Sequence, residues 1–249
     1  MKATVSLIIF FLSITSLFAQ EQNGTIVFKE TRKLDIELPE NVKAMNISIP
    51  KESTSKKVLH FNGQESVYTN YDSNDQKQEF SPSEGEKIEI RMQAPQYVCY
   101  KNLDKNSMKE QKEIMGKLFL VEDQTKKLGW KMTGKQKKVL DYLCQEATTT
   151  DGEDTISAWF TSQIPVSNGP GSYGQLPGMI LEVSVNDGKQ LITASEITLG
   201  EYDAETIVEP KKGKKVSEKQ YQKIKEEKRK EMQKMYGGSG NVIIQEVRQ

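Results

Sequence analysis

Along most of this chain, apolar residues recur at every second position in short runs, and that period restricts the fold more than any other feature. Successive side chains of a strand point to opposite faces, so period two means a strand with one face buried. Ile26 and Phe28 alternate with polar or smaller neighbours in residues 24–30, and Ile88, Ile90 and Met92 alternate with Glu89 and Arg91. Leu140, Tyr142 and Cys144 share a face in residues 139–148. Ile156, Ala158 and Phe160 do the same in residues 155–162, with Trp159 on the other side. Met179, Leu181, Val183 and Val185 alternate with Glu182 and Ser184. Further strands are expected at residues 58–61, 65–71, 97–101, 117–122, 128–132 and 190–198. Turn-forming Asn62-Gly63, Asp151-Gly152, Asn168-Gly169-Pro170-Gly171 and Asn186-Asp187-Gly188 separate them. No helical pattern falls between these strands, which argues against parallel βαβ units. The expected fold is mainly β: a curved, largely antiparallel, meandering sheet, open and half-barrel-like.

One helix is expected, at residues 217–236. Ser217 can cap it with Gln220 three residues on, no Gly or Pro interrupts it, and Gly237-Gly238 ends it. Its apolar stripe of Tyr221, Ile224, Met232 and Met235 breaks at Lys228, which suits a surface helix. Residues 242–244 read as a short terminal strand, and 48–57 and 71–87 as polar loops.

Residues 1–19 carry the three parts of a secretory signal: Lys2, the apolar core from Val5 to Leu12, and Ala19 at the break. The expected location is therefore periplasmic, with no lipid anchor because no Cys follows the apolar core. About 230 residues would remain, enough for one sizeable domain or two small ones. The division expected is 20–209 as a β domain and 210–249 as a basic helix and terminal strand packed on it. A mean hydropathy of -0.65 fits a water-soluble body. Formal charge balances at 35 basic and 35 acidic residues, but the signs are segregated. Residues 150–209 hold ten acids against Lys189 alone, and residues 210–236 hold eleven bases against four acids. A basic tail folded back on an acidic face is the plainer account; a basic arm for an anionic partner is the alternative.

Most enzyme chemistries lack the residues they need. His60 is the only histidine, which argues against triad hydrolysis and most zinc sites. The acids sit at turns and strand edges without a glycosidase-like pairing. Neither Asp151-Gly152-Glu153-Asp154 nor Asp72-Ser73-Asn74-Asp75 has the spacing of a calcium loop. No phosphate loop is present, and Met108, Met115, Met232 and Met235 read as packing residues before copper ligands. No metal, cofactor or nucleic-acid partner is expected.

Several blocks, in order, resemble the GLPGLI family. They are Trp130-Lys131-Met132, then Lys138 to Thr148 with Tyr142, Cys144 and Ala147, then Ala158-Trp159-Phe160-Thr161-Ser162-Gln163-Ile164-Pro165 and Asn168-Gly169-Pro170. Gly174-Gln175-Leu176-Pro177-Gly178-Met179-Ile180-Leu181-Glu182-Val183 is similar to the naming motif, with Gln175 and Met179 in place of Gly and Leu. Leu59 to Tyr68 and Gly24 to Phe28 resemble upstream strands. The resemblance implies an exported protein of Gram-negative bacteria, in some cases encoded beside outer-membrane receptors. A looser likeness is to periplasmic lipoprotein carriers, whose curved sheets hold acyl chains. The function these likenesses imply is a non-enzymatic binding or carrier module for an apolar or amphipathic ligand, such as a lipid or peptide, or an accessory to an outer-membrane receptor complex. The alternative is an interaction protein docking on another envelope protein, and an unrecognised enzyme stands third.

Trp159, Tyr173, Leu176, Pro177 and Gly178 are the expected contact residues, at the mouth of a sheet-lined groove; the plainer reading makes the motif a fold signature. Cys99 and Cys144 are the only cysteines, and in an oxidising compartment they are expected to form a disulfide. Two buried, unpaired thiols are the alternative.

Overall fold

The structure, a computed structural model, describes residues 22–37, 51–71, 77–80, 88–91, 95–200, 202, 204–237 and 243–245. The signal segment 1–19 and the acidic cluster at 72–75 lie outside the described residues, as do the side chains of Ile88, Ile90, Met232 and Met235. Strands β1 (Gly24–Lys33), β3 (Glu52–Phe61), β4 (Glu65–Asn70), β7 (Tyr97–Asn102), β8 (Ser107–Ile114) and β9 (Lys117–Gln124) build one half of the main sheet. Strands β10 (Lys131–Val139), β11 (Tyr142–Asp151), β12 (Asp154–Thr161), β13 (Met179–Val185) and β14 (Gln190–Leu199) build the other. β14 pairs with β1 and joins the halves, and β15 (Lys214–Val216) adds in parallel to β9. The order across this 12-stranded sheet is β10-β11-β12-β13-β14-β1-β3-β4-β7-β8-β9-β15, antiparallel apart from that last pair. Two small ladders stand outside it: β2 (Asp35–Glu37) with β16 (Ile243–Gln245), and β5 (Lys77–Phe80) with β6 (Ile88–Arg91). The mainly β, open, antiparallel-dominated architecture read from the period-two runs is what the chain adopts.

The core shows that the sheet bends on itself. Ile26, Phe28, Leu59, Phe61, Tyr68 and Cys99 from one half share a buried cluster with Ala147, Ala158, Phe160 and Val183 from the other. Residues 162–178, between β12 and β13, fill the space between the halves. Ile164, Val166 and Leu176 of this segment are buried in the same cluster. Its backbone is stitched to β13, with Met179 N donating to Ile164 O at 3.0 Å and Ile180 N to Asn168 O at 2.9 Å. Gly178 has φ +146°, and a Cβ there would stand 2.1 Å from Thr161 O, so only glycine fits this approach. The apolar hollow that a carrier requires is occupied by the protein's own loop.

Helix α1 (Glu218–Gly237) follows β15. The capping box forms: Gln220 N donates to Ser217 Oγ at 3.2 Å, and Ser217 N to Gln220 Oε1 at 2.9 Å. Tyr221 is buried edge-on against Phe119 at 5.9 Å, with Val216 and Ile224 packed alongside. Lys215 pairs with Glu122, and Glu218 with Lys112. The tail is thus anchored on the β8–β9 hairpin, a different place from the acidic 150–209 segment to which its charge pointed. Burying a tyrosine outweighs exposed ion pairs in choosing that place.

Candidate functional site at the polar end of the inner face

The strand pairings allow the inner face to be followed residue by residue. Ile26, Leu59, Tyr68, Cys99 and Glu110 stand opposite one another across β1, β3, β4, β7 and β8. In the next row Phe28 faces Lys57, and Tyr97 faces Lys112. Two residues beyond Phe28 on the same face is Glu30, then Arg32. The face is therefore apolar around Ile26, Leu59 and Phe61 and becomes charged toward Glu30, Lys57, Tyr97 and Lys112.

Two similar groups form there. Tyr68 donates to Glu30 Oε1 at 2.7 Å, and Glu30 Oε2 lies 4.0 Å from both Lys57 Nζ and Arg32 Nη2. Tyr97 donates to Glu110 Oε1 at 2.7 Å, and Glu110 Oε2 lies 2.7 Å from Lys112 Nζ. Tyr68 and Tyr97 meet edge to face at 6.2 Å, and Lys57 Nζ stands 4.1 Å from the Tyr97 ring centre. Lys112 reaches outward to Glu218 at 3.5 Å and over the Tyr221 ring at 4.9 Å, so the start of α1 borders the group. Glu30 and Glu110 are both buried.

Burial sets the protonation of this site. It lowers the Lys57 pKa, Arg32 adds to the fall, and Glu30 opposes it. Burial and the neighbouring Glu30 and Glu110 carboxylates hold the Tyr68 and Tyr97 phenols well above their usual range, keeping both as neutral donors. For Lys112, burial alone would lower the pKa, but Glu110, Glu218 and Tyr221 outweigh it and the net shift is upward. Deeper in, Lys101 is fully buried, and burial brings its pKa down to about 8. Its Nζ donates to Gly169 O and Tyr173 O, both at 2.8 Å, and so holds the filling loop to β7.

Such an arrangement can hydrogen-bond a polar ligand through ammonium donors and carboxylate acceptors. It supplies no thiolate: the Cys99 thiol, pushed up to about 12 by burial and then by Glu110, donates to Gly171 O at 3.4 Å. His60 lies away from it, bonded through Nδ1 to Thr25 Oγ1 at 3.1 Å. Among the described residues no group of three or more His, Cys, Asp or Glu could hold a metal ion.

The expected contact residues do not gather in one place. Trp159 lies on the outer face under Lys137 Nζ at 4.4 Å, and that ammonium bonds Glu182 at 2.6 Å. Tyr173 is partly buried in the filling loop, Leu176 and Gly178 are buried, and Pro177 is exposed. The expected disulfide is absent: Cys99 and Cys144 are both free and buried. Each thiol is engaged elsewhere: Cys99 Sγ with Gly171 O, and Cys144 Sγ donating to Tyr142 O at 3.6 Å. Burial raises the Cys144 thiol to about 11. Glu30, Lys57, Tyr68, Tyr97, Glu110 and Lys112 were not singled out by sequence reasoning. The available signal was charge at the inward phase of a strand, as in Phe28-Lys29-Glu30 or Lys57-Val58-Leu59.

Comparison with known proteins revises the expected family. The family model described as "N-glycanase peptide, N-terminal domain" matches residues 58–223. Neither that match nor the similar structures belong to the GLPGLI family, so the resemblance carried by residues 174–183 reflects a strand-launching turn and not that membership. The chain is similar in fold to two solved structures of PNGF-II. One, in space group P21, has a TM-score of 0.55 and 16% identity over 82% of this chain and 33% of that one. The other, in space group C2, has a TM-score of 0.51 and 17% identity over 80% and 32%. This chain thus spans about a third of the length of those it matches. No curated protein matches it. A match to an enzyme family also overturns the expectation of a non-enzymatic carrier, and the loop-filled core and charged inner face give the physical reason.

Proposed function

The chain belongs to the N-glycanase N-terminal domain family, and from that premise we propose that it takes part in releasing N-linked glycans from glycoproteins. The observation that carries this reading is the family match itself, which includes Tyr68, Tyr97, Glu110, Lys112, Tyr173 and Tyr221 of the inner-face group and its border. The geometry supports it. Paired carboxylates and ammoniums beside tyrosines suit the hydroxyls and amides of a glycosylated polypeptide, and they are a poor seat for an acyl chain. In this reading the protein works in the periplasm, which the charged start, the apolar core and Ala19 of the N-terminal segment support. Incubation with a protein bearing a single N-glycan, followed by mass spectrometry, checks the proposal. The expected result is a polypeptide lighter by the glycan mass. An unchanged glycoprotein after prolonged incubation would contradict it.

A further inference from the structure

Resting on the N-glycanase reading, we propose that the polar end of the inner face is a saccharide site, taking the hydroxyls of a neutral oligosaccharide between Lys57, Glu30, Glu110 and Lys112. Charge is the first ground. Two carboxylates and two ammoniums balance, and Arg32 and Glu218 at the border add one of each sign. An anion would be turned away by Glu30 and Glu110, and a cation by Lys57 and Lys112. An apolar group would strip water from four charges without replacing their hydrogen bonds. A sugar hydroxyl both donates and accepts, so it can bridge an ammonium and a carboxylate of one pair without adding charge.

Unspent hydrogen-bonding capacity is the second ground. Among the described residues, Lys57 Nζ makes no hydrogen bond to the protein; the Glu30 oxygen at 4.0 Å is beyond that range, and the Tyr97 and Tyr68 ring centres lie 4.1 and 5.8 Å away. An ammonium has three donors, so Lys57 is held in place by charge and ring contact with its directional bonds still to make. Among the described residues Glu30 accepts one hydrogen bond, from Tyr68, where a carboxylate can accept about four. Burial of this end is incomplete: the Arg32 side chain is 25% exposed, Lys57 14% and Lys112 13%. Tyr97 and Tyr173 are also partly exposed.

Calorimetric titration of the full chain with a free, neutral high-mannose oligosaccharide tests the site. The native chain should bind saturably, and Lys57→Met and Glu110→Gln should weaken binding roughly 10- to 100-fold, as loss of charge-assisted hydrogen bonds implies. Lys135→Met, on the outer side of the edge strand, should leave affinity unchanged. Should Glu110→Gln fail to fold, Lys57→Met still decides, because it removes a buried charge and keeps the bulk. No binding by the native chain, or binding unaltered in folded Lys57→Met, would overturn the site. Glycan release from a glycoprotein without such binding would leave the N-glycanase reading standing and remove the site. Binding without release would do the reverse.

Discussion

Lys101 is a buried ammonium whose hydrogen bonds go to two carbonyls, and its titration should be visible in stability. Its folded pKa, about 8, lies below the ordinary 10.5, so between these values the unfolded chain binds more protons than the folded one. Stability contributed by this residue therefore rises with pH across that window, by about 3 kcal/mol at most. Lys57, shifted in the same direction, adds to the rise. Cys99 and Cys144, raised to about 12 and 11, and then Tyr68 and Tyr97, raised above 10, act oppositely once the unfolded chain loses their protons. Denaturant melts at pH 7.5 to 10 should show the stability of the native chain rising relative to that of Lys101→Met; parallel pH profiles would count against this account. Gly178→Ala meets Thr161 O at 2.1 Å in a conformation unsuited to a side chain, and should cost about 2–4 kcal/mol in the same melts. The cysteines give a separate check. Denatured without reductant, the chain should yield two reactive thiols, and in the folded state both should label slowly, given burial and pKa values near 12 and 11. Finding none in denaturant would restore the disulfide.

Among the elements, α1 is held by the packing of Tyr221 and Ile224, by the Lys112–Glu218 pair and by its cap. Tyr221→Ala should cost about 3 kcal/mol and release the helix from β9, read as lost helical circular dichroism below the main transition. Ser217→Ala should cost about 1 kcal/mol by removing the capping box. That helix was legible because its cap is a local signal. Strand β13 was equally legible, because Leu181, Val183 and Val185 alternate with Glu182 and Ser184. Strand β8 was not. Its inward residues are Met108, Glu110 and Lys112, so a polar run hid a strand, and the charges that hid it are those of the site. The outer half of β3, from Glu52 to Lys57, read as loop for the same reason. The run 139–148 concealed a reversal: Val139 pairs with Tyr142 around Leu140 and Asp141, with Leu140 at φ 51° and 46% exposed. An exposed leucine imitated a core position there, so Leu140 does not share a face with Tyr142 and Cys144. Strand β10 has little apolar pattern of its own and forms because β11 offers it an edge.

At the scale of the molecule, a bent sheet could have enclosed an apolar cavity, and the motif at 174–183 invited that expectation. The loop before β13 closes the apolar end instead, held by Lys101 and by Trp130 Nε1 donating to Gly174 O at 3.0 Å. At the charged end Lys57 and Lys112 keep 14% and 13% of their side-chain exposure, and it is there that the saccharide site is proposed. Sequence alone could not show this, because Glu30, Lys57 and Glu110 come together only through the order of β1, β3, β4, β7 and β8. The time course of N-glycan release from a single-site glycoprotein, followed by mass for the native chain and for Lys57→Met, tests the central claim most directly. The account predicts release by the native chain, slowed roughly tenfold or more in the folded variant. A native chain that leaves the glycan in place would contradict it.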